Sequence, residues 1–303
     1  MKLVLFDDYR LGLLDGNEVV DVSSVSEGLA IDPGTRMNRL IERFAELEPK
    51  LKEAARSGRR VSVNSIRLRA PLPKPGKLVC MAVNYMEDGT RTEPPPINAF
   101  LKSPSAIIGP GETILLPAEQ ATVFEHEAEL ALVIGKAGKN IKAADAYGYI
   151  FGYVNFIDGS ARGLGAPGMD SFFPGKSWHT FAPMGPMVVT ADEIPNAQDL
   201  SVKLWVNGEL RQDYRTSDMA HKIPRVVEWV SSVVTLEPGD IIATGTNHWG
   251  LGPLQDGDEL EEEIEGLGRL TGIKVKDTQK RSWLRETHRQ KAAREAAAKG
   301  ASS

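Results

Sequence analysis

The stretch Phe124–Gly135 reads FEHEAELALVIG. Its second half is an unbroken apolar run closed by a glycine, the signature of a buried strand. Side chains alternate across a strand, so Glu127 and Glu129 project from one face and Ala128 and Leu130 from the other. Two like charges about 7 Å apart on one face repel each other unless something neutralises them. A divalent cation does this best, and Mg²⁺ or Mn²⁺ favours hard carboxylate oxygens, with Ca²⁺ also suited to such ligands. The same alternation also occurs on solvated strand faces, as in ELEEEIEG at 259–266. Spacing alone therefore leaves both readings open.

Outward from this stretch, GYVNFIDGSARG puts Asp158 at the end of an aromatic strand beside Gly159, well placed as a third ligand. Lys176 lies between Gly175 and Ser177 amid Phe and Trp, a setting for pairing with a substrate oxygen or a developing oxyanion. IIATGTNHWGLGP carries Thr246 and His248 in a glycine-rich loop. Short strands rich in Val and Ile, bounded by Gly or Pro, fill most of the chain from Lys77 to Asp277. Helical stretches lie around Ala143–Ala146 and from Ile223, and no fixed-period repeat interrupts the pattern.

Before that region, short strands meet at a hairpin signal, Asp15–Gly16, and a helix-spaced segment runs from Met37 to a closing Gly58. A proline-rich passage, Pro71–Gly76, marks a boundary. The expected organisation is a small N-terminal α+β domain over 1–72, a main domain over 73–278, and a helical basic tail over 279–303. The tail, rich in Ala, Arg and Lys, reads as a solvated appendage or a strut on a second subunit. The chain is thus mixed α/β and β-rich.

Composition sets outer limits. The 303 residues carry a net charge of −5, which argues against nucleic acid as a partner. The one cysteine, Cys80 in KLVCMAV, reads as a buried strand thiol and permits no internal disulfide. The opening MKLVLFDDYRLG meets charge too soon for a signal peptide or anchor, and no apolar run approaches the roughly 20 residues of a membrane helix. A cytoplasmic enzyme, with no membrane partner, is the expectation.

Taken together, VNYMEDGT, INAFLKSPSAIIGPGETILLP, FEHEAELALVIGK, GYVNFIDGSAR, FFPGKSWHTFAPMGP, NGELRQDYRTSDM, LEPGDIIATGT and EIEGLGRL resemble the fumarylacetoacetate hydrolase family, in the family's order, over about Lys77–Asp277. The resemblance implies a mixed β-sandwich roll, preceded by a smaller N-terminal domain and assembled as a homodimer. It places the metal ligands on Glu127, Glu129 and Asp158, the active-site lysine on Lys176 and the threonine of the Gly-Thr string on Thr246. Tyr85 and Lys102 fall in family strings that line the pocket. The implied substrates are small 1,3-diketo or 2-oxo acids that chelate the cation. Members differ in the reaction they then perform: C–C hydrolysis, decarboxylation, isomerisation or hydration, including steps of aromatic catabolism.

One departure matters. Many members place a histidine three positions after Asn-Tyr to activate water, and here Asp88 stands at that position. Either Glu87 or Asp88 takes over as base, or another histidine reaches in, or water is not used in that way. Of the five histidines, His126 alternates away from the glutamates, His288 lies in the tail, and His248 follows Thr246. The loop from Asp88 to Ile97 reads as a lid, with Arg91 available to a substrate carboxylate. The first expectation is a hydrolase cleaving a C–C bond of an acylpyruvate-type acid. The second is an isomerase or decarboxylase of 2-oxo acids on the same site. A non-catalytic binding protein would not need all three carboxylates.

Overall fold

The computed structural model describes residues 1–164 and 171–300. Among them, strands form a twelve-stranded sheet, a five-stranded sheet and a two-stranded ribbon. The molecule is mixed α/β and β-rich, as its sequence implies.

The strand Ala128–Ile134 lies inside the large sheet, between the antiparallel strands Ile150–Ile157 and Ile241–Ala243. Both of its faces are covered, which is why its sequence is an apolar run rather than a clean alternation. Leu130, Leu132 and Ile134 face a core shared with Val202, Leu204, Leu260 and Ile264 of the five-stranded sheet. Ala131 and Val133 face the second core, shared with Met37, Leu40, Leu47 and Leu51. Those last residues lie on two short helices, Arg36–Glu42 and Phe44–Ser57. The sequence implies one helix from Met37; the chain instead breaks at Arg43 and then closes at Gly58 as expected. The helix Ile223–Val233 buries Val226, Val227 and Val230 in the first core. Cys80 is a buried strand thiol, in keeping with its apolar flanks.

The large sheet crosses the expected boundary near residue 72. Lys2–Phe6 pairs antiparallel with Ala182–Thr190, so the N-terminal strands extend the sheet that carries the site. No described helix is long and apolar enough to cross a membrane.

The strand read at FEHEAELALVIG is interrupted, and the interruption builds the site. Val123–Glu125 pairs with Ser160–Arg162 in the ribbon, whereas Ala128–Ile134 pairs with Ile150–Ile157 in the large sheet. Both chains turn the same corner, one at His126–Glu127 and the other at Asp158–Gly159. The Asp158 amide donates to the Glu127 carbonyl across it, at 2.8 Å. Glycine at 159 suits the close approach, because a Cβ there would lie 3.0 Å from the Phe181 carbonyl oxygen, tighter than most such contacts.

Candidate active site

The corner frees Glu127 from the pleat, so the acids converge instead of standing in a row. Carboxylate oxygens of Glu127, Glu129 and Asp158 lie within 4.8 Å of one another, and all three residues are buried. Buried carboxylates this close need positive charge. Lys176 donates to Glu127 Oε2 at 2.6 Å and to Asp158 Oδ2 at 2.8 Å. Lys102 donates to Asp158 and to the Gly159 carbonyl. Arg162 donates to Glu127, and to Glu125 at 2.8 Å.

The titration of these groups records the competition. Burial alone would raise the Glu127 carboxyl, but Lys176 and Arg162 outweigh it and hold it below the ordinary range. Burial raises Glu129 well above that range, with the Asp158 and Glu127 charges adding to the effect. Burial opposes the charge on Lys176, yet Asp158 and Glu127 keep its ammonium above its usual value. Three converging oxygen donors, one of them still uncompensated at Glu129, fit a hard divalent cation. Glu129 Oε2 also accepts from the Gly245 amide at 2.7 Å. Gly245 has φ +86° and would bring a Cβ to 3.0 Å from Asn84, so only glycine serves there.

A pocket of about 50 Å³ opens on this cluster, lined by Glu127, Lys176, Arg162, Thr246 and His248, with Phe100 and Phe172 among its walls. The two rings stack 4.6 Å apart. Thr246 is held by Gln212 Nε2, which donates to its hydroxyl at 2.8 Å. His248 is held more firmly. Its Nδ1 meets Glu87 Oε1 at 2.5 Å, and its backbone amide donates to Glu87 Oε2 at 2.8 Å. A carboxylate on Nδ1 makes that nitrogen the donor, leaving Nε2 as the basic one in the neutral ring.

The other expected residues are distributed differently. Asp88 does not line this pocket; it accepts from Arg289 at 2.6 Å and from Asn247 at 3.3 Å. Glu87 and Asp88 both have positive φ, +57° and +55°, a backbone conformation that turns Glu87 inward while Asp88 stays half-exposed. Tyr85 is fully buried and packs edge-on against Tyr214 at 5.0 Å. Lys102 sits behind Asp158 and orients it. Arg91 lies 4.0 Å from Glu87 and is not among the residues that line this pocket. The loop it belongs to is tied down where His221 Nε2 meets the Pro95 carbonyl at 2.8 Å. His126 faces away from the pocket toward Gln212 and is buried, which pushes its imidazole down to about 4.

Arg162, Glu125 and Gln212 are site residues that the sequence alone does not single out. Arg162 has a signal, since it follows Asp158 by four residues in the same string, and Glu125 has one in its alternation with Glu127 and Glu129. Nothing local marks Gln212.

The chain matches the family model described as fumarylacetoacetate (FAA) hydrolase C-terminal over residues 77–274. It is 34% identical to maleylpyruvate hydrolase of Aquipseudomonas alcaligenes, over 89% of this chain and 98% of that protein. Oxaloacetate tautomerase Fahd2a, mitochondrial, of Rattus norvegicus is 36% identical, over 88% of this chain and 90% of that protein. Among solved structures, maleylpyruvate hydrolase from Sphingobium sp. SYK-6 in complex with manganese(II) and pyruvate superposes with a TM-score of 0.82 at 35% identity. That match covers 91% of this chain and 99% of that one. Relatives of comparable identity thus carry out hydrolysis and tautomerisation.

Proposed function

The chain belongs to the fumarylacetoacetate hydrolase family, and from that premise we propose that it is a cytoplasmic, homodimeric hydrolase that cleaves a C–C bond in an acylpyruvate-type acid. Mg²⁺ or Mn²⁺ is its cation, held by Glu127, Glu129 and Asp158. The observation that carries the reading is the His248–Glu87 pair, which supplies an oriented base beside the three carboxylates where the sequence has no histidine at 88.

Bound at the carboxylates, the cation supplies Lewis acidity toward the paired oxygens of a 2-oxo acid. Every other part of the chemistry falls to side chains. Arg162 and Lys176 offer the substrate carboxylate two cationic donors at the pocket wall. His248 Nε2 takes a proton from water as the water oxygen attacks the distal carbonyl carbon, and Glu87 stabilises the imidazolium. The C–C bond then breaks, the electron pair stays with the pyruvate fragment, and the imidazolium returns the proton to it. Phe100 and Phe172 limit bulk water at the mouth. Asp88, engaged by Arg289, is not the base.

A second reading is a tautomerase or decarboxylase of 2-oxo acids. It is favoured by Asp88 standing where relatives keep a water-activating histidine, and it uses the same histidine to move a proton between carbon and oxygen. Turnover of acylpyruvates and oxaloacetate with Mg²⁺ or Mn²⁺, then with chelator, separates the readings. Metal-dependent release of pyruvate plus a second acid supports the hydrolase; enol–keto exchange or CO₂ release without cleavage supports the alternative. Replacing His248 by Gln lowers kcat by about 10²–10⁴-fold if it is the base. Unchanged turnover in that variant removes it from the mechanism.

A further inference from the structure

We propose that the C-terminal segment of this chain positions the His248–Glu87 pair, with Arg289 as the positioning residue. This inference rests on the assignment of that pair as the catalytic base.

The segment is fastened to the chain that carries the site. Arg281 donates to Asp277 and to the carbonyls of Pro117 and Glu119, and it lies 4.7 Å over the Phe124 ring. Trp283 donates to the Thr122 carbonyl at 2.6 Å and meets Phe124 edge-on at 5.8 Å. Arg285 pairs with the buried Asp258 at 2.6 Å. The His288 amide donates to the Leu251 carbonyl at 2.9 Å. The helix His288–Gly300 then begins with a reciprocal cap. The Thr287 amide donates to Gln290 Oε1, and the Gln290 amide donates back to Thr287 Oγ1. The cap sets the first turn of the helix, so His288 and Arg289 are presented at defined places.

Both of those residues reach groups adjoining the catalytic ones. Arg289 pairs with Asp88, the residue after Glu87, and lies 6.0 Å over the ring of Trp249, the residue after His248. Trp249 in turn donates from Nε1 to the Glu87 carbonyl at 3.1 Å. One guanidinium therefore stitches together the neighbours of both members of the pair, which lie 161 positions apart in sequence. His288 Nε2 meets Glu125 Oε1 at 2.6 Å, and Glu125 holds Arg162 against the pocket. After this first turn the helix is exposed, and among the described residues Arg294 pairs with Glu286 of the same segment.

An exposed ion pair contributes little to global stability. Its consequence here is local, because Glu87 and Asp88 occupy adjacent left-handed backbone positions, and such positions persist only when their surroundings hold them. Loosening Asp88 frees Glu87 to turn, and His248 loses its orientation.

The test uses the full-length Mg²⁺-loaded protein with Arg289→Met, Asp88→Asn, the double variant and Arg289→Lys. Two readouts are needed: kcat and KM on whichever acid of the panel turns over, and the downfield proton resonance of the His248 imidazole, assigned by its loss in His248→Gln. Each single substitution is expected to lower kcat about fivefold with KM and Tm unchanged and to weaken the resonance, while the double variant is no worse than either single. Arg289→Lys restores part of both. An unchanged resonance and kcat, or a loss that tracks Tm, overturns the proposal. Should His248→Gln retain full turnover, the base assignment fails, and the resonance still decides whether Arg289 holds the pair.

Discussion

Two segments of this protein carry glutamates at alternate positions, and they meet opposite fates. In the interrupted segment Val123–Ile134, Glu125, Glu127 and Glu129 are all buried, and Arg162, Lys176 and His288 reach Glu125 or Glu127 from three other elements. In Glu259–Ile264, Glu261 and Glu263 turn outward toward Arg269, while Glu262 is buried with no ion-pair partner among the described residues. Glu262 Oε1 accepts from the Glu129 amide at 3.0 Å, so the two strands touch. Burial raises its carboxyl well above the ordinary range. Alternation says which face a carboxylate takes. Whether that face becomes a cation site depends on the charges that other segments bring to it.

Substitutions can break this contrast, and the largest effect is expected at the corner. Asp158→Asn or Glu127→Gln should weaken Mn²⁺ binding by about 100-fold or more and remove turnover, because each supplies a buried anionic oxygen. Calorimetric titration with Mn²⁺ checks this; affinity within a few-fold of the parent would mean the cation sits elsewhere. Truncation to alanine, as Glu127→Ala or Asp158→Ala, should also leave Lys176 or Lys102 short of a partner, at a cost of about 3–5 kcal/mol in stability.

Lys176→Met sharpens the comparison in a different way. It removes a positive charge lying between Glu127 and Asp158, so turnover should fall at least about tenfold while the Tm rise on adding Mg²⁺ grows. A smaller Tm rise would show that the ammonium aids the cation rather than opposing it.

Glu262→Gln should change stability by less than about 1 kcal/mol below about pH 4.3, where the carboxyl is protonated in both states and the amide keeps the acceptor for the Glu129 amide. Its effect should depend on pH. A raised carboxyl holds its proton in the folded protein, whereas the unfolded chain releases it above about pH 4.3. The associated stability is full in acid and declines as pH rises toward the folded value. The variant should therefore lose less Tm than the parent between about pH 5 and pH 8; parallel curves would show that Glu262 ionises freely. Last, Glu261→Gln breaks only a half-exposed pair with Arg269 and should shift stability by no more than about 0.5 kcal/mol in a thermal melt.

Much of the site is legible in the sequence, and the failures have a common origin. The three carboxylates, Lys176 and Thr246 stand in strings that resemble those of the family, although spacing alone leaves their roles open. The hairpin at Asp15–Gly16 and the helix from Ile223 follow from turn chemistry and periodicity, which are properties of neighbouring residues. Reading FEHEAELALVIG as one continuous strand is a good guide to burial and a poor one to geometry. The break at His126–Glu127 exists because the partner chain turns at Asp158–Gly159. Similarly, the tail read as an appendage is helical only from His288, and the residues before that helix are anchored to the chain bearing the site.

What the sequence by itself determined is the set of chemical groups and the faces they occupy, because alternation, capping and glycine conformations act over a few residues. Only the tertiary structure decided which charges meet. Lys102 goes behind Asp158, Arg289 goes to Asp88, and Glu87 goes to His248. Those encounters depend on how distant strands are brought together around the core, and no local pattern encodes the partner at the other end.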